Sequence, residues 1–151
     1  MARERLSELE LRTWQALLHA HHDVVTVLDA ELRDRHGITF SEYDVLLRLA
    51  RAPERALTMT DLAERVMLSP SGTTRMIDRL TQRKLLRRRS APEDGRVALA
   101  TLTPAGLRLV RSAAGTHLRG IREHFTGRLS RRELEQVASA LEAIAGPHVP
   151  H

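Results

Sequence analysis

Residues 69–80 read SPSGTTRMIDRL, and this segment contains a clear helix start followed by two different helix faces. A serine followed by proline is a strong start signal, because the hydroxyl caps free backbone N–H groups and proline already has the helical φ angle. Met76, Ile77 and Leu80 recur at helical spacing on one side, while the other side is small and polar and then carries arginine. The segment therefore predicts an amphipathic helix of about residues 70–83.

The flanking segments predict a helix-turn-helix with a wing. Upstream, Thr60 can cap a short helix whose first turn holds Asp61 next to the positive helix end. Downstream, two extended runs flank Asp94-Gly95, which is a hairpin signal. A short helix, a tight turn and a second helix form the helix-turn-helix, and a hairpin directly after the second helix is a wing.

Long amphipathic helices are predicted at both ends of the chain. At the N-terminal end, an apolar stripe runs through about residues 6–35 and stops at Gly37. Ser41, with Asp44 three residues later, is expected to cap the following helix. The small central unit cannot cover all the apolar surface of the terminal helices, so a second copy of the chain is expected to cover it.

The sequence after the hairpin repeats the same start signals. Thr103-Pro104 combines a capping hydroxyl with proline and opens a helix to about residue 126, and Ser130 with Glu133 forms a capping box for the last helix. The predicted fold class is mainly α with a small β-hairpin, in a single domain. That domain spans residues 1–151, with a winged helix-turn-helix core of about 38–102 between dimerisation helices of about 6–35 and 104–146.

Composition and charge narrow the class of protein. Hydrophobic residues make up 42% of the chain and charged residues 28%, which is typical of a globular protein. No apolar run approaches the roughly 18 residues of a membrane helix, and the N-terminus lacks a signal-peptide core, so a cytoplasmic protein that does not contact the membrane is expected. The absence of cysteine excludes disulfides, thiolate metal sites and switches based on cysteine oxidation.

Positive charge is concentrated in the predicted helix-turn-helix and wing. From Arg65 to Arg96 there are nine Lys/Arg residues against three Asp/Glu residues, whereas the whole chain has a net charge of +5. A basic stripe of this kind is typical of a protein that binds a polyanion. The alternative is a solvated charged surface.

The second helix of the helix-turn-helix is predicted to read double-stranded DNA. In this motif the start of that helix enters the major groove, where small residues allow a close approach and arginine can bind guanine O6 and N7 together. The alternative is a well-capped surface helix. The predicted contacts on this helix are Ser69, Ser71, Gly72, Thr73, Thr74, Arg75 and Arg79.

The wing adds a second set of predicted contacts. An arginine at the wing tip, Arg96, can enter the narrow minor groove, and Asp94 is close enough to hold its guanidinium in position. Arg87, Arg88 and Arg89 on the first strand are expected to contact phosphates, and they also protect an edge strand against aggregation.

The histidines and carboxylates do not form a recognisable catalytic or metal motif. His19, His21 and His22 crowd one helix, and His117 and His124 lie seven residues apart on another. Zinc sites on one helix usually have histidines three or four residues apart with further ligands nearby. The histidines are therefore interpreted as surface and interface residues, and neither a metal site, a cofactor nor an enzyme activity is predicted.

The region from Met59 to Gly106 resembles the MarR (multiple antibiotic resistance regulator) family. The motifs that carry the resemblance are Thr60-Asp61-Leu62-Ala63, the segment from Ser69 to Leu80, Asp94-Gly95-Arg96, and Leu102-Thr103-Pro104-Ala105-Gly106. The resemblance implies a triangular homodimer that binds palindromic operators. It also implies repression that is relieved by a small aromatic or anionic ligand.

A weaker resemblance is to the urate-responsive branch of the same family. It rests on Trp14, Asp61 and the segment from Ala113 to Phe125, and it implies an effector pocket that contains a tryptophan, an acidic residue and arginines. His21 lies seven residues after Trp14 on the same helix face, so Trp14, His21 and Asp61 are the predicted ligand-binding residues. The alternative for Trp14 is an ordinary core or interface position.

The sequence leaves two classes of function open. The basic wing and Arg75 favour a homodimeric, ligand-responsive DNA-binding regulator of transcription. The alternative is a winged-helix module that binds other proteins and does not bind DNA.

Overall fold

The structure is a computed structural model that describes residues 5–65 and 70–145. Over those residues the fold is mainly helical with one small antiparallel sheet, as the sequence predicts. The elements are α1 (Glu8–His36), α2 (Phe40–Arg51), β1 (Ala56–Thr58), α3 (Met59–Arg65), α4 (Pro70–Gln82), β2 (Leu86–Ser90), β3 (Ala98–Leu102), α5 (Pro104–His124) and α6 (Arg131–Ala145), with 3-10 turns at Pro53–Arg55 and Thr126–Arg128.

Several predicted helix ends are confirmed. Gly37 ends α1 in the left-handed conformation, with φ of 64°, and its N–H donates to the carbonyl of Arg33 at 2.9 Å. The Thr103 hydroxyl accepts the N–H of Gly106 at the start of α5. Ser130 and Glu133 form the expected capping box before α6.

The predicted cap of α2 was wrong by two residues. Thr39 is the N-cap: its hydroxyl accepts the N–H of Glu42 at 3.0 Å, and the Glu42 carboxylate accepts the N–H of Thr39 at 2.9 Å. Glutamate is long enough to reach back in this way. The predicted partner of Ser41, Asp44, instead accepts a hydrogen bond from Arg48.

The sheet has a third strand that the sequence analysis did not predict. β1 pairs with β3, so that the sheet order is β1-β3-β2 and all pairs are antiparallel. β1 also changes the cap of α3: the hydroxyl of Thr58, not that of Thr60, accepts the N–H of Asp61 at 3.0 Å. Thr58 can cap because its place at the end of a strand already gives it the extended backbone that an N-cap requires.

The core joins the helix-turn-helix to the sheet and to the long helices. Met76, Ile77 and Leu80 on α4 are buried, as predicted. They belong to one cluster with buried residues of α1, α2, the sheet and α5, among them Leu32, Val45, Leu46, Leu49, Leu86, Ala100 and Val110. The inner face of α4 is therefore fixed by packing, and its outer face is left for contacts with other molecules.

The two ends of the chain leave apolar surface uncovered. In α1, only Leu28 and Leu32 are buried, and both lie in the second half of the helix. In α6, no residue is buried, and Ile144 is 76% exposed. Among the described helices, none combines the length and the apolar character needed to cross a membrane.

The wing and α5 meet at one backbone carbonyl, that of Leu85. It accepts the N–H of Thr103 at 3.1 Å and lies 3.0 Å from the Thr103 hydroxyl. Gly106 approaches the same carbonyl so closely that a Cβ on this residue would lie 2.3 Å from the oxygen. The Leu-Thr-x-x-Gly pattern therefore ends in glycine because no side chain fits there.

Two glycines of α5 are expected to respond to alanine in opposite directions. Gly106→Ala forces its Cβ against the Leu85 carbonyl, and we expect a loss of about 1–3 kcal/mol in the free energy of unfolding. Gly115 has no atom within 4 Å of an added Cβ. Gly115→Ala is therefore expected to gain up to about 1 kcal/mol from helix propensity.

Chemical denaturation of the two variants at equal protein concentration measures this difference. A Gly106→Ala variant as stable as the parent would contradict the close approach to Leu85.

Candidate nucleic-acid interface

The outer face of α4 presents the predicted reading residues. Ser71, Thr74, Arg75 and Arg79 are exposed, and Gly72 is half-buried. The Nε of Arg75 donates to the carbonyl of Ser71 at 3.4 Å, a long bond that keeps the guanidinium along the helix. The face is therefore small and polar at its start and cationic further along, which suits a close approach to the edge of a polyanion.

Two residues of the predicted reading set do not fit that description. Thr73 is only 1% exposed because its side chain points into the fold, so it is removed from the predicted contacts. Ser69 lies outside the described residues. The remaining members of the set lie on the accessible side of α4.

The wing loop joins β2 to β3 and carries Arg96 at its tip. The Arg96 side chain is 92% exposed. The Asp94 carboxylate accepts its backbone N–H at 3.0 Å and its Nε at 3.3 Å, so the expected contact between these two residues is present. The loop is longer than the predicted Asp-Gly turn, because the strands end at Ser90 and Ala98 and one further hydrogen bond, from Ala91 N–H to the Val97 carbonyl at 2.8 Å, closes the base of the loop. Arg96 therefore projects beyond the sheet on a loop that Asp94 braces.

The three consecutive arginines of β2 have three different surroundings. Arg88 forms a 2.7 Å ion pair with Asp78, which connects the wing to α4. Arg89 lies 3.6 Å from the exposed Glu54. Arg87 has no ion-pair partner in the described part of the chain. The three arginines look alike in the sequence, whereas Arg88 serves in part to fix the wing against α4.

A buried carboxylate connects α4 to the start of α2. Glu42 is 6% exposed, and its oxygens lie 3.8 Å from Nε of Arg79 and 3.7 Å from a terminal nitrogen of Arg83. The same carboxylate completes the cap of Thr39. Glu42 was not predicted from the sequence, although a glutamate three residues after a threonine is the signal of a capping box.

The predicted ligand-binding residues are not brought together within one chain. Trp14 is 54% exposed and His21 is exposed, both in the first half of α1. Asp61 is exposed at the start of α3. α1 packs mainly on α5 and α2. A pocket containing all three residues would need surface from a second chain.

The structure contains a different cavity at the base of the wing, with a volume of about 490 Å³. We call it the wing-base cavity. Three cations line it: Lys84 after α4, Arg87 on β2 and Arg108 on α5. Its other lining residues are Thr81, Leu86, Thr103, Pro104 and Ala105, and none of the lining residues is acidic. The cavity thus combines positive charge with an apolar wall.

His117 does not add a positive charge to the candidate nucleic-acid interface. It lies between helices with its ring 4.7 Å from that of Tyr43 and 5.8 Å from that of Phe40. Burial lowers the pKa of His117, and the nearby Asp44 only partly opposes this effect. The imidazole is therefore held neutral near pH 7, as a packing residue.

The sequence matches a known family and known regulators. The model of the MarR family matches residues 36–97. A Bacillus subtilis (strain 168) protein, HTH-type transcriptional regulator MhqR, is 25% identical over 139 residues, which are 92% of this chain and 93% of that protein. The organic hydroperoxide resistance transcriptional regulator of the same organism is 32% identical over 131 residues, which are 85% of this chain and 84% of that protein.

The fold matches a solved complex with DNA. Sco3205, a MarR family transcriptional regulator from Streptomyces coelicolor in complex with DNA, superimposes with a TM-score of 0.88 at 27% identity. The match covers 93% of this chain and 92% of that one. The likeness therefore includes the terminal helices as well as the winged core.

Proposed function

This chain belongs to the MarR family of DNA-binding transcriptional regulators, and we propose that it represses transcription as a homodimer bound to a palindromic operator. It is a regulator and not an enzyme. One observation carries the proposal: the small polar outer face of α4 lies beside a wing whose tip arginine is fully presented to solvent. A regulator must share a compartment with its DNA, which agrees with the cytoplasmic location expected from the sequence.

The proposed contacts divide by role. Ser71, Gly72 and Thr74 allow α4 to approach the major groove, and Arg75 reads a base edge. Arg96 enters the minor groove, where an arginine senses groove width more than base identity. The remaining proposed contacts, Arg79, Arg87, Arg88 and Arg89, bind phosphates, and Asp94 orients the arginine of the wing tip.

Arg75→Ala and Arg96→Ala are expected to differ in kind. Loss of a bidentate base contact at Arg75 should cost roughly 1–3 kcal/mol and relax the preference at one operator position. Loss of Arg96 should weaken binding while the preferred major-groove bases stay the same, because the minor groove carries a degenerate pattern. Binding of each variant to the operator and to single-base variants of it measures both effects.

The salt dependence provides an independent check of the same proposal. Each phosphate contact contributes about −0.9 to the slope of log affinity against log salt concentration, so the parent should show a steep negative slope. Arg131→Ala, which changes an exposed arginine on α6, is the control and should leave affinity and slope unchanged. An affinity that does not vary with salt would instead favour a winged-helix module that binds proteins.

The dimer is proposed from the apolar surface at the two ends of the chain. A helix of 15 residues is marginal in water without tertiary packing, yet α6 has no buried residue. The first half of α1 exposes Leu9, Trp14 and Leu18. Exposed apolar surface of this extent is typical of a protein interface. Two copies that pack these helices together would place their α4 helices about one DNA turn apart, 10–10.5 base pairs between half-site centres.

Ile144→Glu is expected to shift the protein from dimer to monomer. Ile144 is 76% exposed in one chain, so the charge costs the isolated fold little and acts on the partner interface. Sedimentation velocity at micromolar concentration measures the change. Ser139→Glu adds the same charge on another side of α6 and serves as the control, and a parent protein that sediments as a monomer would contradict the proposal.

We propose further that an anionic aromatic effector binds in the wing-base cavity. Its three cations offer charge pairing to a carboxylate, and its apolar wall suits a planar ring. The cavity joins α4, β2 and the start of α5, so a ligand there can favour a dimer whose reading helices no longer fit the operator spacing. The pocket of Trp14, His21 and Asp61 remains the second location, formed only between two chains.

Arg108→Ala is expected to abolish release of operator DNA by an effector while DNA affinity is kept, because Arg108 lines the cavity but is not a proposed DNA contact. Salicylate, urate and xanthine are titrated against the protein–operator complex, with Arg111→Ala as the control on the same helix. If a compound quenches Trp14 fluorescence and still releases operator DNA from the Arg108→Ala variant, the effector binds in the pocket at α1 and not in the wing-base cavity. Release by none of the three compounds would remove them as effectors of this cavity.

A further inference from the structure

A separate group of side chains lies at the other end of α5, away from the wing. Glu31 of α1 and Glu123 and His124 of α5 each offer one ligand atom, and these atoms all lie within 4.8 Å of one another. α5 has 21 residues and is therefore about 30 Å long at 1.5 Å per residue, so this group is remote from the DNA-reading surface. We propose that Glu31, Glu123 and His124 bind a divalent transition-metal ion of the Zn²⁺ class.

The donor set fits such an ion. Zn²⁺ takes imidazole nitrogen and carboxylate oxygen at about 2.0–2.2 Å, and sites with three protein ligands keep a fourth position for water. His124 Nε2 and Glu31 Oε1 are 2.9 Å apart. Ligand atoms around a tetrahedral zinc are about 3.4 Å apart on those bond lengths, so the pair needs to open by only about half an ångström.

The fold holds Glu31 in place without a metal ion. A Cβ on Gly120 would lie 2.7 Å from Oε2 of Glu31 and 2.5 Å from Cδ2 of Leu28. The Glu31 carboxylate thus occupies space that a side chain at position 120 would fill. The Glu31 and His124 side chains are only 27% and 19% exposed, which leaves them few alternative positions.

The third donor distinguishes this group from an ordinary ion pair. Glu31 and His124 already satisfy one another, but the Glu123 carboxylate has no ion-pair partner among residues 5–65 and 70–145. Glu123 and His124 are also the last two residues of α5, where the negative end of the helix dipole favours a cation. A divalent ion would satisfy all three side chains and tie α1 to α5.

Co²⁺ titration of the full-length protein, without a polyhistidine tag, tests the site directly. Tetrahedral Co²⁺ absorbs strongly in the visible range, and we expect this absorption to saturate at one ion per chain and to disappear when Zn²⁺ is added. Glu123→Gln and His124→Ala should each weaken binding about ten-fold or more, since loss of even an outer-shell partner costs a metal site that much.

The control is a double variant, His19→Ala with His22→Ala, which removes two exposed histidines of α1 and should leave the absorption unchanged. Glu123 is exposed, so Glu123→Gln remains informative if His124→Ala does not fold. The proposal is overturned if the parent shows no visible absorption, if Glu123→Gln binds Co²⁺ as tightly as the parent, or if the absorption is lost in the double variant.

Discussion

The carbonyl oxygen of Leu85 is the point at which the parts of this protein are fixed to one another. It receives the backbone N–H of Thr103 and lies against the backbone of Gly106. Leu85 leads from α4 into the wing, and Thr103 leads from the wing into α5. This carbonyl therefore links α4, the wing and α5, and a tilt of α5 would move the wing with it.

Carboxylates within the basic stripe, and one on the neighbouring helix α2, hold its arginines in place, a role that the net charge does not show. Asp78 pairs with Arg88 and Asp94 pairs with Arg96, while Glu42 of α2 faces Arg79 of α4 and Arg83 just after it. These contacts limit the rotamers of long side chains before any ligand arrives, and such preorganisation lowers the entropic cost of binding. The few acidic residues of this region thus place the arginines and do not simply dilute their charge.

Sequence patterns between near neighbours predicted much of the fold. The errors occurred where contacts between residues far apart in sequence determine the structure. Apolar periodicity located the long helices and the buried face of α4, since both depend on neighbours three and four residues apart. Ser41 and Thr39 have equivalent capping patterns, and only the reach of Glu42 separates them. β1 has three residues and exists because β3 pairs with it. Glu31 and His124 are 93 residues apart in sequence, so no spacing rule could connect them.

The uncovered apolar face of α6 makes the stability of the proposed dimer depend on the concentration of the chain. In the proposed dimer, this helix gains most of its packing from the partner, so its folding is coupled to the association of two chains and follows mass action. A newly made chain presents Leu141 and Ile144 to chaperones and proteases until a second chain arrives. In the proposed dimer the partner shields this surface, so the fraction of chains open to proteolysis falls as the chain concentration rises.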